Sequence, residues 1–133
     1  MVKTEIRVIY GDTDQMGVVY YANYLRYFEI GRNEYLRAHG VRYRELEAQH
    51  QLFLPVVDTQ VSYKNPARYD DLLTLETVVT RVGRASVRFE YRVLRADTLL
   101  ATGHSTHACV NSAGGVKPLP EDVAQLLRQS KTA

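Results

Sequence analysis

The chain has a single cysteine, Cys109, among its 133 residues. A lone thiol has no partner within the chain, so no disulfide framework holds the fold, and a reducing compartment suits it. Charge of one sign is also lacking. The 17 basic and 15 acidic residues leave a formal charge of +2, too small a surplus to argue for nucleic acid or an anionic membrane surface. No stretch approaches the ~20 apolar residues of a membrane span. The opening MVKTEIRVIY has no apolar run of signal-peptide length. The expectation is a cytoplasmic protein with no nucleic-acid partner and no membrane span.

What is present is the composition of an ordinary globular domain, 45% hydrophobic and 24% charged. The length fits one domain over residues 1–133 whose core needs no staple. Thirteen of the 17 basic residues are Arg, a bias that suits bidentate contact with phosphate or carboxylate as well as plain ion pairing.

One stretch is crowded. YGDTDQMGVVYYANY, from Tyr10 to Tyr24, packs two carboxylates, a glycine and several tyrosines into a short loop. Before it, Thr4 to Tyr10 alternates as a strand, with Ile6, Val8 and Tyr10 on the buried face. After it, from Ala22 to about His39, the period becomes helical. Tyr24, Phe28, Gly31, Tyr35 and Ala38 share one face, Leu25 and Leu36 widen it, and Gly40 is a natural stop. Gly31 on that face costs about 1 kcal/mol against Ala, which predicts close approach of another backbone, such as a sheet wrapping the helix.

Tyr43 to His50 reads as a short helical turn, and from there to Asn111 the chain is strand-rich. Phe53, Pro55, Val57, Thr59, Val61 and Tyr63 are expected to form one alternating face, and Leu73, Leu75, Thr77 and Val79 another. A hairpin turn at Val82–Ala85 precedes Val87, Phe89, Tyr91 and Val93. A second turn at Arg95–Thr98 precedes a strand from Leu99 to Val110, and Pro120 to Gln129 forms a terminal helix. Tight turns make the strand pairs antiparallel. One helix on one antiparallel sheet is an α+β arrangement, and its uncovered edges favour a dimer or larger assembly.

Asp12 and Asp14 stand two apart, so in an extended loop both would face one way. A carboxylate there lies near the unpaired amides at the helix start, the positive end of the helix dipole. A carbonyl held between the two would make a minimal acyl-transfer site. Gly17 allows a positive φ or a ligand close to the backbone. The plainer alternative is that both aspartates close turns, and that the tyrosines are core. His104 and His107, three apart on a strand, point to opposite faces and cannot chelate together. Cys109 reads as a small packed residue. Arg81, Arg84, Arg88, Arg92 and Arg95 form a basic run, by default a solvated or subunit-facing strand surface.

GDTDQMGVVYYANYLRYFE resembles the signature of hot-dog-fold acyl-CoA thioesterases of the 4-hydroxybenzoyl-CoA thioesterase type, and among them the bacterial branch encoded beside the Tol–Pal envelope system. NPARYDDLL and the GRAS turn resemble further family segments. The resemblance implies a long helix wrapped by a five- or six-stranded antiparallel sheet, in a homodimer or homotetramer with sites between subunits. It implies hydrolysis of acyl-CoA thioesters, with Asp14 as nucleophile or general base and the Tyr21 backbone N–H polarising the carbonyl. Gly17, Val19, Arg84 and Ser86 would contact substrate, the last two at the coenzyme A nucleotide, while Asp12 shapes the loop. Coenzyme A enters as part of the substrate, and no other cofactor or metal is implied. Tyr21 stands where the Tol–Pal-associated branch usually has His, so a role resting on an imidazole does not carry over. The alternative on the same fold is a non-catalytic module that binds acyl-CoA or acyl-carrier protein.

Overall fold

A computed structural model describes residues 1–131. Strand β1 (Val2–Arg7) leads through the Tyr10–Asp12 turn and the tyrosine-rich loop into α1 (Asn23–Ala38), then α2 (Tyr43–His50). The remainder is β2 (Leu52–Phe53), β3 (Val56–Tyr63), β4 (Leu72–Val82), β5 (Ser86–Arg95), β6 (Thr98–Ala108), β7 (Val110–Asn111) and α3 (Glu121–Ser130). Five strands form one antiparallel sheet in the order β1-β4-β5-β6-β3, and β2 pairs with β7 beside it. This is the α+β hot-dog arrangement: a long helix held in the curve of an antiparallel sheet.

The helix lies where its apolar pattern requires. Tyr24, Phe28, Gly31, Tyr35 and Leu36 are buried, facing Leu73, Leu75 and Val79 of β4 and Val87, Phe89, Tyr91 and Val93 of β5, all buried in turn. Each large apolar side chain removed from water here contributes about 1.5–3 kcal/mol. Gly31 is the closest approach: a Cβ at this position would sit 2.4 Å from Leu75 Cδ2 and 2.5 Å from Thr77 Oγ1. The expected approach of another backbone is not what the glycine admits: the sheet reaches Gly31 through the side chains of Leu75 and Thr77 of β4. At the far end Gly40 adopts φ +83°, and the Val41 and Gly40 amides cap the carbonyls of Leu36 and Arg37 at 2.8 and 3.1 Å. That pattern is a glycine-terminated helix end.

Several expectations fail for physical reasons. Strand β1 stops at Arg7, and Tyr10 is 75% exposed, its ring stacked on Tyr69 at 4.1 Å rather than buried. Tyr27 joins the buried helix face, whereas Leu25 is 43% exposed and Ala38 is exposed. The expected face from Phe53 to Tyr63 is broken at Leu54–Pro55, and its second half, β3, is an edge strand with Val57 61% exposed. Proline cannot donate to a ladder, and an edge strand has a neighbour on one side only. The predicted strand from Leu99 to Val110 divides at Cys109, whose amide leaves the sheet to bond Ala85 O at 2.8 Å. Cys109 itself is buried. His107 is buried while His104 lies on the opposite face and pairs with Asp58 at 3.0 Å.

Candidate active site

The loop is a small hairpin with Asp14 at its base. The Asp14 amide donates to Val18 O at 3.0 Å and the Gly17 amide returns to Asp14 O at 2.9 Å. Gly17 takes φ +78°, and a Cβ there would meet nothing within 4 Å, so its glycine serves the turn. One carboxylate oxygen of Asp14 accepts the Met16 amide at 2.9 Å, which leaves the other oxygen free of protein donors among the described residues. Val19 is buried and donates to Ala67 O at 2.8 Å, fastening the hairpin to the segment before β4.

Asp12 and Asp14 do not face the same way. The turn at Tyr10–Asp12 rotates the first carboxylate inward, where it is 3% exposed. There it pairs with Arg26, accepts the Tyr27 hydroxyl at 2.9 Å and accepts the Ile9 amide at 3.2 Å. Its own carbonyl receives the Tyr20 amide at 2.9 Å and the Asn23 side chain at 2.8 Å. Asp12 therefore ties β1, the loop and α1 together. Burial and the neighbouring Asp12 raise Tyr27 far above an ordinary phenol pKa, so it stays a hydrogen-bond donor.

Asp14 instead opens on a cavity of about 350 Å³ with Val18, Val19, Tyr21, Tyr24, Tyr63 and Lys64 in its lining. The start of α1 forms one wall. Among the described residues no acceptor meets the Tyr21 or Ala22 amide, while the next amide, that of Asn23, bonds Tyr20 O at 2.9 Å. Unpaired amides at a helix start carry the positive end of its dipole. The Tyr63 hydroxyl donates to Tyr21 O at 3.0 Å, and the Tyr63 ring packs edge-on against Tyr24 at 5.3 Å and Tyr21 at 6.5 Å. The tyrosines thus differ: Tyr27 belongs to the core, Tyr24 is a buried residue that also reaches the cavity, and Tyr21 and Tyr63, 61% and 50% exposed, wall it.

One cavity thus has in its lining a residue with a partly unpaired carboxylate, Asp14, and a residue with an unpaired amide at a helix start, Tyr21. Tyr63 and Lys64 are contributions that sequence reading missed. They lie some forty residues beyond the loop at the end of β3, and only strand pairing brings them here. Arg84 and Ser86 are not at this cavity. Ser86 pairs with Ala108 at one end of β5 and β6, while Val93 and Tyr63 both pair with Ala101 at the other. Seven residues of strand separate Ser86 from Val93, roughly 23 Å at 3.3 Å per residue. Among the described residues no three His, Cys, Asp or Glu side chains are grouped to hold a metal ion, and no helix is long and apolar enough to cross a membrane.

Known proteins share this architecture and sequence. The acyl-CoA thioesterase YbgC of Haemophilus influenzae is 40% identical over 120 residues, covering 89% of this chain and 88% of the relative. The 1,4-dihydroxy-2-naphthoyl-CoA hydrolase of Synechococcus elongatus is 32% identical over 125 residues, covering 92% of each. The crystal structure of a hypothetical protein from Thermus thermophilus superposes with a TM-score of 0.91 at 34% identity, over 96% of this chain and 98% of the other. The family model described as the thioesterase-like superfamily matches residues 8–127, from the end of the first strand into the last helix, and the chain belongs to that superfamily.

Proposed function

We propose that this protein hydrolyses acyl-CoA thioesters at the cavity between Asp14 and the start of α1. The observation that carries the reading is that Asp14 and Tyr21 line one cavity, with no acceptor for the Tyr21 amide among the described residues. A thioester oxygen accepts the Tyr21 N–H, which stabilises the negative charge that develops there. Asp14 then acts on the carbonyl carbon, either by removing a proton from attacking water or by forming an acyl–aspartate anhydride that water opens. In both courses the C–S bond breaks, water supplies the hydroxyl of the free acid, and a proton ends on the coenzyme A thiol. The chemistry calls for no metal or prosthetic group, and Gly17 and Val19 shape the substrate's approach.

Within the superfamily we place the chain with the 4-hydroxybenzoyl-CoA thioesterase type, near the Tol–Pal-associated branch, on the strength of the Asp12–Tyr24 motif. A cytoplasmic location fits the single unpaired thiol. The working unit is a homodimer or homotetramer with sites between subunits. Two features support this: β3 is an open edge with Val56 and Val57 exposed, and Arg84 and Ser86, assigned to the coenzyme A nucleotide, lie far from Asp14 along one chain.

Thiol release from short, long and aromatic acyl-CoAs tests the activity and reveals the acyl preference. The Asp14→Asn variant tests the residue: release is lost while folding and ligand binding remain. Undiminished release would remove Asp14 from the mechanism. A parent protein that binds acyl-CoA without releasing thiol would make the domain a binding module.

A further inference from the structure

Lys64 is a charged residue in the lining of the Asp14 cavity to which the proposed hydrolysis gives no task. It directly follows β3, and its backbone is tied to β6. The Lys64 amide donates to Leu100 O at 2.8 Å, the Asn65 amide to the same carbonyl at 3.1 Å, and the Asn65 side chain to Leu99 O at 2.9 Å. Just beyond, the Val19 amide reaches Ala67 O at 2.8 Å and Val18 bridges Arg68. One short segment is thus stitched both to the sheet and to the hairpin that carries Asp14. Strand register and these ties hold Lys64 at the cavity.

Its ammonium is left without a counter-charge. The neighbouring cation Arg95 reaches Pro66 O at 3.1 Å and holds Asp71 at 2.9 Å. Lys64 is exposed and has no acidic partner among the described residues. It makes no ion pair with Asp14, although the two line one cavity. The space between them therefore stays open to substrate. A lysine amine that has shed its proton is a nucleophile, and its four-carbon stem is flexible. Holding such an amine and an acyl carbon in one cavity raises their effective concentration far above that in solution.

We propose that Lys64 is a self-acylation site, taking the acyl group from bound acyl-CoA in a side reaction that closes the cavity. The inference rests on the acyl-CoA reading above. The Lys64 ammonium first loses a proton to water. The amine lone pair then attacks the thioester carbon, a C–N bond forms, the C–S bond breaks, and its electron pair leaves on sulfur. The second proton shed by nitrogen passes by way of the Asp14 carboxylate to the coenzyme A thiolate. The products are Nε-acyl-lysine, coenzyme A and one proton released to solvent. Acylation removes the charge of Lys64 and leaves the acyl group in the cavity as an amide, which resists hydrolysis far better than a thioester. Activity is then lost in proportion to turnover.

The chain has four lysines, Lys3, Lys64, Lys117 and Lys131, so peptide mapping by mass spectrometry resolves them all. The folded protein is incubated with butyryl-CoA or benzoyl-CoA while thiol release is followed in the same sample. Label on Lys64 is expected to exceed that on each other lysine by about tenfold or more. The rate is expected to decline as label accumulates, and in K64R, which keeps the charge but loses the nucleophile, the decline disappears. Equal label on all four lysines overturns the proposal, as does a Lys64 preference that persists in the urea-unfolded chain. Thiol release with Lys64 unlabelled also overturns it and leaves the acyl-CoA reading standing. Label on Lys64 without hydrolytic turnover sustains the acylation, and the hydrolysis reading fails by itself. Neither label nor thiol release overturns both.

Discussion

The Tyr27 hydroxyl donates to the buried carboxylate of Asp12 at 2.9 Å, a bond from the first turns of α1 to the loop that carries Asp14. Arg26 completes the pairing from the adjacent helical position. Two aspartates separated by one residue thus have different duties, and their variants should separate cleanly. Asp12→Ala leaves a buried phenol and a cation without their acceptor, and is expected to cost about 2–4 kcal/mol, discounted because Arg26 is half-exposed. Asp14→Ala should cost under about 1 kcal/mol, since it forfeits one turn bond. Urea unfolding of both variants measures this, and equal losses would refute the division of labour.

Gly31→Ala is predicted to destabilise despite the better helix propensity of alanine. The propensity gain is about 1 kcal/mol, but the new methyl would meet Leu75 Cδ2 and Thr77 Oγ1 well inside contact distance. Overpacking of this kind costs about 1–3 kcal/mol. A net loss of roughly 1 kcal/mol in denaturant unfolding is the expected balance. A gain in stability would show that the helix moves off the sheet freely.

His107 makes the fold sensitive to acid. Its Nδ1 bonds Leu54 O at 2.8 Å, so Nδ1 carries the proton and Nε2 accepts from Ser105 at 2.8 Å. The Tyr91 hydroxyl in turn meets Ser105 Oγ at 2.6 Å. Burial lowers the His107 pKa to about 4, with the charge of Arg32 adding to the effect. The unfolded chain takes up this proton near pH 6.5 and the native state only near 4, so the unfolded state binds more protons between. The contribution is complete above pH 6.5 and is lost as pH falls toward 4, by about 3 kcal/mol in all. Unfolding free energies at pH 7 and pH 4.5 should differ for the parent, and differ less for His107→Gln. An identical pH slope in the two would exclude His107 as the source.

Tyr63→Phe removes the bond from β3 to Tyr21 O while keeping the ring that packs on Tyr24. The expected stability loss is about 0.5–1.5 kcal/mol. Because that bond holds the peptide next to the amide assigned to the carbonyl, kcat should fall several-fold with KM nearly unchanged. Unaltered kcat would show that the helix start is held without it.

The amphipathic periods of α1, β4 and β5 were legible because each element buries one face, and burial writes its period into local sequence. The stop at Gly40 and the close approach at Gly31 were legible for a related reason: glycine marks backbone that no side chain fits. Tyr10 and the Phe53–Tyr63 segment misled, since alternation is identical whether the outer face meets a core, a partner or water. The motif drew attention to Asp14 and Tyr21, but spacing gave no means of telling which aspartate turns inward. That depended on the turn at Tyr10–Asp12 and on Arg26 and Tyr27 standing where α1 passes the loop.

The sequence by itself determined α1, β4, β5, the tight turns that make their hairpins antiparallel and the loop worth inspecting, because these follow from interactions among neighbours in the chain. Tertiary structure alone decided that Tyr63 and Lys64 wall the cavity, that Arg26 and Tyr27 are the partners that hold Asp12, and that Arg84 and Ser86 lie far from Asp14 along one chain. Those relations join residues far apart in the chain, and strand register and helix packing place them where no local pattern records the distance.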